Sequence, residues 1–483
     1  MKKHISDKQF FIIFSLIIIL AAGLRFYDLG LKPMHHDEGN NWYHYIDKII
    51  HGKSFEWSVF NHGTTPFYFD SIPLFFLNPS VANIRIMCAL FGVLSIALLI
   101  FLRKQLGDLG VLLAASFLAV SPTMIAYSRL FSLPYPYVWF FALIIIIAAV
   151  KYHETNQNYW LYVAAAFSGL MITSHELSII YFAAAFAFLL LYYLWNDQFS
   201  DDTKNFWHKI DKKALVLAVV IFFFVILMMM TQFFTTTSTL SKFSDLNYYS
   251  SRTFNETGHN KPVFYYVSAL GPIEAFAFVL TGFSVFFLKR RLFQQFLFFL
   301  VAAIVLFLSI LPYKIAWMFT IALLPMYVLA GITAANILER LEHKKIYLVA
   351  FLIALIFIFG ATTFSALRYN FLAPNEKGSP LNYAGPVDDN YRMISDFDEL
   401  FEKSRFQNSS ILITAKDQYP LSYYLRSSQI EYLEGDNIDL SQFYDEYDIF
   451  ITEKNNKFDS TVLKKVGEYE LRENGYINVL VKR

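Results

Sequence analysis

Cys88 is the only cysteine in 483 residues, which excludes an intrachain disulfide and any multi-cysteine zinc or iron–sulfur site. Charge is scarce as well. Asp, Glu, Lys and Arg make up 16% of the chain, where a soluble globular protein carries roughly a quarter. The charges nearly cancel, to a net +1, so the overall balance points to no nucleic acid and no strongly acidic partner. No Gly-x-Ser-x-Gly elbow, His-Glu-x-x-His helix or Walker loop occurs. That removes the case for a hydrolase triad, a zincin or ATP-driven transport.

What is abundant is apolar: 56% of residues are hydrophobic, with 52 Phe and 31 Tyr. About 20 mostly apolar residues suffice to cross a bilayer. Eleven segments qualify: 9–28, 81–102, 108–127, 132–150, 158–173, 176–195, 214–233, 264–287, 293–311, 315–336 and 346–365. The pattern predicts a polytopic α-helical membrane body of about 11 transmembrane helices. The first run follows Lys2-Lys3 but has no Ala-x-Ala cleavage site, and further spans follow it, so it reads as an uncleaved anchor.

Lys and Arg near span ends stay on the cytoplasmic side. With the N-terminus inside, the inner loops collect Lys2, Lys3 and Lys8; Arg103 and Lys104; Lys151; and Lys204, Lys209, Lys212 and Lys213. Lys289, Arg290 and Arg291 follow, then Arg340, Lys344 and Lys345. This predicts a multi-pass protein of the cytoplasmic (inner) membrane, with residues 30–80, 234–263 and everything after about 368 outside.

The first external loop, 30–80, predicts surface-lying helices at His44–His51 and Pro66–Leu77, both rich in aromatic and apolar residues. The membrane domain then occupies 1–368. Past a linker marked by Pro374, Gly378 and Pro380, residues 369–483 read as a soluble extracytoplasmic α/β domain. Helix signals lie at 394–405 and 418–427, and strand signals at 411–414, 448–452 and 476–481. Acidic residues outnumber basic ones there by 20 to 13.

The densest polar feature is His35-His36-Asp37-Glu38, just beyond the first span. Solvation at a membrane surface accounts for such a run. Alternatively, one carboxylate takes a proton from an acceptor hydroxyl while its neighbour orients a ligand or binds metal. Imidazole and carboxylate are ordinary ligands of a divalent metal cation, and His62, His175, Glu176 and His259 could join such a site. No dedicated metal spacing occurs. Arg129, His175, Glu176, Glu274 and Lys314 sit at the outer ends of spans. Singly, each can snorkel. Together they form the inventory of a pocket for an anionic lipid headgroup, with Arg129 and Lys314 on its phosphate.

The chain resembles the GT-C superfamily of integral membrane glycosyltransferases, which includes protein O-mannosyltransferases and the lipid A aminoarabinose transferase. The likeness is greatest to the prokaryotic flippase-activity-associated branch. It rests on Leu24-Arg25-Phe26 through Pro33-Met34-His35-His36-Asp37-Glu38-Gly39, His62-Gly63 with Pro66-Phe67-Tyr68, Ser128-Arg129 and Ser174-His175-Glu176. Leu270-Gly271-Pro272, Pro312-Tyr313-Lys314 with Trp317, and Tyr419-Pro420-Leu421 with Tyr423-Tyr424-Leu425-Arg426 complete it.

The resemblance implies inverting transfer of a sugar from a polyprenyl-phosphate-linked donor to a glycan, lipid or protein acceptor on the outer face. It makes Asp37 the catalytic base and Glu38 its acidic neighbour, an acceptor or metal contact. Lys314 and Arg129 fall to the lipid phosphate. His35, His36, His62, His175, Glu176, Glu274 and Tyr313 fall at the acceptor or behind it. His175 replaces the Lys of a Ser-Lys-Glu motif, and Ile315-Ala316-Trp317 replaces Thr-Pro-Trp, which leaves room for a different sugar or acceptor. The rival readings are a lipid-linked sugar flippase or transporter, and an accessory subunit of such a system. Charge at the outer ends of spans, with bare span interiors, favours surface chemistry over transport.

Overall fold

The computed structural model describes residues 5–58, 61–131, 134–195, 210–237, 260–290, 292–376, 378–382, 392–396, 409–414, 419–425, 429–433, 438–454, 456, 458–472 and 475–483. Most of the expected outer loop 234–263, including His259, lies outside the described residues, as do Lys204, Lys209, Arg291 and Arg426.

The elements that matter are α1 (Asp7–Phe26), α2 (His36–Asn41), α3 (Thr65–Ser71), α4 (Ile86–Leu106), α5 (Asp108–Val120), α6 (Pro122–Ser128), α7 (Tyr135–Thr155) and α8 (Tyr159–Ile172). After them come α9 (Glu176–Leu194), α10 (Lys212–Met230), α11 (Ala275–Leu288), α12 (Leu292–Ile310), α13 (Ala316–Leu341), α14 (Lys345–Leu372) and α15 (Tyr419–Tyr424). Among the described residues, eight helices are long and apolar enough to cross a membrane: α1, α4, α7, α9, α10, α12, α13 and α14. A ninth crossing results if α5 and α6, bent by 62°, make one span. The two segments that separate this count from the expected eleven are the shorter apolar helices α8 and α11. The 14 residues of α8 rise only about 21 Å, against a hydrocarbon core of roughly 30 Å.

Backbone groups in lipid must be satisfied internally, and several irregularities among the described residues are met in that way. Ser6 caps α1 in a capping box with Gln9. At the α5–α6 break, Ser121 accepts the Met124 N–H at 3.2 Å, while Pro122 occupies the first turn of α6, where no N–H is needed. Arg25 takes up the carbonyls of Ala119 and Leu118, both at 3.1 Å. Inside α13, Pro325 has no N–H for the Ile321 carbonyl. The Tyr181 hydroxyl of α9 donates to that carbonyl instead.

The centre of the bundle is α13, 78% buried over its most apolar window against 11% for α14 at the periphery. It crosses α5 at close range. A Cβ added to Gly331 would lie 2.7 Å from Ala114 Cβ and 2.7 Å from the Gly110 carbonyl oxygen. Small residues at a crossing allow such approach, which in lipid is the main source of helix affinity.

The C-terminal region is β-rich. Its mixed five-stranded sheet runs β2-β1-β3-β5-β4, from β1 (Ser410–Ile413), β2 (Gln429–Tyr432), β3 (Ile449–Glu453), β4 (Leu463–Arg472) and β5 (Gly475–Lys482). β1 pairs in parallel with β2 and β3, while β5 pairs antiparallel with β3 and β4. Both faces are covered: Ile411, Ile449 and Val479 pack under Leu421 and Leu425, and Leu412, Phe450 and Leu480 pack on Leu440 and Tyr447. Strands β2 and β4 had no counterpart among the expected elements. β4 reads Leu-Lys-Lys-Val-Gly-Glu-Tyr-Glu-Leu-Arg, the charged composition by which an edge strand resists further pairing. Of the expected helix 394–405, residues 397–405 lie outside the described residues.

Gly331→Val should separate α13 from α5 and destabilise the bundle by about 1–3 kcal/mol, the usual cost of overpacking. Gly360 in α14, where an added Cβ meets nothing within 4 Å, is the control. Thermal unfolding in detergent should be lower for Gly331→Val and nearly unchanged for Gly360→Val.

Candidate active site

The His-His-Asp-Glu run folds as a helix start. His35 is the N-cap, its Nδ1 accepting the Asp37 N–H at 3.0 Å, while Glu38 Oε2 accepts the His35 N–H at 2.8 Å. This reciprocal arrangement aims Glu38 inward. There it meets Arg85, at the head of α4, through Nε–Oε1 at 2.8 Å and Nη2–Oε2 at 2.5 Å. The Phe131 N–H adds a bond to Oε1 at 3.0 Å. Arg85 spends its other donors on the carbonyls of Leu29 and Lys32 at 2.8 Å and Pro33 at 3.1 Å. Both side chains are buried. Burial pushes the Glu38 carboxyl up, but the Arg85 charge and the four hydrogen bonds outweigh it and hold the group below the usual range. Asp37, between two anchored neighbours, keeps a side chain 40% exposed, with Oδ2 3.5 Å from His35 Nδ1.

A second wall comes from the turn between α8 and α9. The Gly63 N–H donates to the Ser174 carbonyl at 3.1 Å and the Thr65 N–H to that of Thr173 at 3.0 Å. A Cβ on Gly63 would fall 2.0 Å from the Thr173 oxygen, so only glycine fits. His62 sits beside it in the left-handed region, φ 62°, and its carbonyl is held by Trp57 Nε1 at 2.6 Å. The His62 Nδ1 lies 3.1 and 3.2 Å from the Glu176 oxygens, and its ring stacks on His175 at 4.3 Å. Burial lowers His62, but the charge and hydrogen bond of Glu176, with the charge of Asp37, raise it overall. That influence puts Asp37 within electrostatic reach of this group. Burial takes His175 down to about 3, so it is neutral.

One ligand atom from each of His62, His175 and Glu176 can lie within 4.8 Å of the others. Nε2 of His175 is buried without a hydrogen-bond partner. Two imidazoles and a carboxylate with an open nitrogen fit a divalent transition metal.

Lys314 lies in the loop between α12 and α13. It is buried and donates to the Lys261 carbonyl at 3.0 Å and to that of Leu311. Tyr313 pairs with Asn260 in an isolated β-bridge, and the Lys261 N–H donates to the Pro312 carbonyl at 3.2 Å. Burial lowers the Lys314 ammonium; among the described residues no carboxylate forms an ion pair with it. Three residues on, Trp317 meets His35 edge-on at 6.3 Å and Tyr127 at 6.5 Å. The Lys314 loop thus leans on the residue that caps the Asp37 helix.

Residues 65–227 match the family model described as dolichyl-phosphate-mannose-protein mannosyltransferase. No curated protein sequence matches the chain. Among solved structures, ArnT from Cupriavidus metallidurans bound to undecaprenyl phosphate is similar at a TM-score of 0.67, with 12% identity and 98% of each chain covered. Its apo state gives 0.70, again at 12% identity and 98% coverage of each. The Archaeoglobus fulgidus oligosaccharyltransferase AglB, in complex with an inhibitory peptide and a dolichol-phosphate, gives 0.55 at 14% identity, covering 92% of this chain and 69% of that one. The chain shares the fold of these membrane proteins.

Within that fold, several residues expected at the site do other work. Arg129 is turned toward the end of α1, donating to the carbonyls of Arg25 at 3.2 Å, Tyr27 at 2.6 Å and Asp28 at 2.7 Å, with its guanidinium 4.7 Å from the Phe371 ring. A helix C-terminus attracts a cation, and these bonds fix Nη1 and one hydrogen of Nη2 on that end, with Nε and the other Nη2 hydrogen not among them. Glu274 is buried at the α5–α6 break, accepting from Ser121 Oγ at 2.8 Å, the Thr123 N–H at 2.9 Å and the Tyr327 hydroxyl. It serves the backbone rather than an acceptor. Glu38 has both carboxylate oxygens taken up by four donors. His36 is half-buried on α2.

The sequence reading passed over Arg85 and Asp70. Arg85, in Ile84-Arg85-Ile86, carried the same signal as the other charges at outer span ends. Asp70 lies in the apolar stretch of α3, accepts from the Tyr137 hydroxyl at 2.5 Å and has its other oxygen unpartnered. Burial raises its carboxyl well above the usual range.

Arg85→Met should leave Glu38 buried without its cation and destabilise the protein by about 3–5 kcal/mol, seen as a lower melting temperature. Glu38 has a folded pKa below its unfolded value of about 4.3. Its contribution is therefore complete above that value and is lost as pH falls through the lower folded one. The difference in melting temperature between the parent and Glu38→Gln should be full at pH 7 and narrow in strong acid.

Proposed function

We propose that the chain is a membrane glycosyltransferase that moves a sugar from a polyprenyl-phosphate carrier to an acceptor hydroxyl at the outer membrane face, with inversion. The observation that carries this reading is the Trp317–His35 contact, which joins the helix of an exposed carboxylate, Asp37, to the loop of a buried cation, Lys314, that has no carboxylate partner among the described residues. The matches to ArnT bound to undecaprenyl phosphate and AglB with dolichol-phosphate support a lipid phosphate as the leaving group.

In this mechanism Asp37 takes the proton of the acceptor hydroxyl as its oxygen attacks the anomeric carbon. The bond from that carbon to the phosphate oxygen breaks, and its electron pair leaves with the lipid phosphate. Lys314 neutralises the charge that gathers there, an electrostatic contribution made larger by burial. One displacement inverts the anomeric centre. Glu38 acts through position, fixing α2 so that Asp37 faces the opening. When bound, a divalent cation held by His62, His175 and Glu176 would supply Lewis-acid charge beside Asp37.

The outer-face assignment draws on the ends of four helices. Arg103 pairs with Asp7 and Asp108, while Lys104 and Lys151 pair with Glu154. The start of α1, the end of α4, the start of α5 and the end of α7 therefore share one end that carries Arg103, Lys104 and Lys151, the cytoplasmic one by the Lys/Arg rule. Asp37 lies beyond the other end of α1. In this arrangement α8 and α11 complete eleven crossings, N-terminus inside, with the sheet region outside as an α/β domain of residues 369–483.

The test is release of undecaprenyl phosphate by the purified chain from a panel of radiolabelled undecaprenyl-phosphate-linked sugars, with cell-envelope extract as acceptor. Asp37→Asn should lower turnover by at least about 100-fold, the range of a lost general base, while still binding donor. Lys314→Ala should weaken undecaprenyl phosphate binding by about tenfold or more, as for a lost charge-assisted hydrogen bond. Movement of labelled lipid across vesicles with no sugar released would assign the chain to transport instead.

A further inference from the structure

The six-residue helix that carries Asp37 is gripped at both ends by one short helix of the C-terminal region. Ahead of α2, the Met34 N–H donates to the Tyr424 hydroxyl at 2.8 Å. Behind it, Trp42, the C-cap residue, meets the Tyr423 ring edge-on at 5.1 Å. The two tyrosines are adjacent on α15, and they straddle the segment that contains His35, Asp37 and Glu38.

The same helix divides its side chains between two cores. Leu421, with Leu425 just past its end, packs into the sheet beneath Ile411 and Ile449, whereas Tyr423 belongs to the apolar core of the membrane body. α15 is therefore a pin set in both. Burial pushes the Tyr424 phenol up to about 12, and Arg85 and Glu38 both act on it electrostatically, so the pin ends beside the buried ion pair.

We propose that Tyr423 and Tyr424 are positioning residues for the Asp37 base, and that the C-terminal region serves the reaction by clamping α2 from above. The proposal rests on Asp37 being the base. Met34 precedes the N-cap, so its backbone sets where α2 begins, and Trp42 sets where it ends. Holding both fixes the direction in which the Asp37 carboxylate leaves the helix, and a misplacement of about 1 Å at a reacting group can cost on the order of 100-fold in rate. The clamp touches neither the His62–His175–Glu176 group nor the Lys314 loop in any contact described above. Its loss should therefore act on turnover rather than on donor binding.

The experiment uses the full chain in detergent, with Tyr424→Phe, Tyr423→Ala, Tyr423→Phe and Asp37→Asn, and Val466→Ala on exposed β4 as control. Deuterium uptake of the 34–42 peptide and turnover of a radiolabelled undecaprenyl-phosphate-linked sugar are measured together. Tyr424→Phe should exchange the 34–42 amides about five- to tenfold faster and lose a similar factor in kcat, as for one lost hydrogen bond, with donor KM unchanged. Tyr423→Ala should behave alike, and Tyr423→Phe, which keeps the ring edge, should restore most of kcat. A lower melting temperature with parental kcat and exchange, or faster exchange with parental kcat, would overturn the clamp. Parental turnover by Asp37→Asn would instead sink the base assignment, and the exchange result would still report whether the tyrosines hold α2.

Discussion

Four donors converge on the two oxygens of Glu38, and the geometry around Asp37 depends on that convergence. Burying a carboxylate and a guanidinium together costs several kcal/mol per ion, and the pair survives because no lone pair or N–H is left over. Glu38 accepts from His35, Phe131 and twice from Arg85, while Arg85 gives its remaining hydrogens to the carbonyls of Leu29, Lys32 and Pro33. What the pair returns is position more than stability. The chain from 29 to 38, the head of α4 and the loop at Phe131 are tied at one point. Asp37 is thereby both fixed, through its neighbours, and open.

Other buried charges answer to the backbone. A break between α5 and α6 leaves carbonyls at one helix end and N–H groups at the other, and in lipid neither can turn to water. Arg25 takes carbonyls at the end of α5, Arg129 those at the end of α1, and Glu274 accepts an N–H near the start of α6. The signs follow the helix dipole, cations at C-termini and the carboxylate at an N-terminus. Lys314 also rests on carbonyls, but as an ammonium with three donors. Among the described residues two carbonyls accept from it, so it can meet a phosphate without leaving a helix end unsatisfied.

These assignments explain how far the sequence could be read. Span positions were legible because apolar length and the loss of charge are local properties. The His-His-Asp-Glu run was legible as a polar cluster, but not as the capping box that starts α2, because the capping bonds are set by backbone geometry. Arg129 and Lys314 look alike in sequence, each a cation just past an apolar run. Only the neighbours supplied by distant segments separate a helix cap from a phosphate candidate. Arg85 lies 47 positions from Glu38, and nothing local announces that pairing. β4 was hidden for a different reason: an edge strand protected by charge lacks the apolar alternation that marks a strand.

The His175 position shows how one substitution reshapes a site. A lysine there, as the Ser-Lys-Glu resemblance implies, would bring a fixed positive charge beside Glu176. Histidine at the same place is buried and neutral, stacked on His62. The charge lost is not recovered by titration, since protonating His175 requires acid near pH 3. Burial lowers His62, while the charge and hydrogen bond of Glu176 and the charge of Asp37 raise it overall. Among the described residues, a neutral imidazole whose Nε2 has no hydrogen-bond partner, a second imidazole and a carboxylate are what a divalent cation takes as ligands. A pocket arranged in this way sets its charge by what it binds, where a lysine would have set it by sequence.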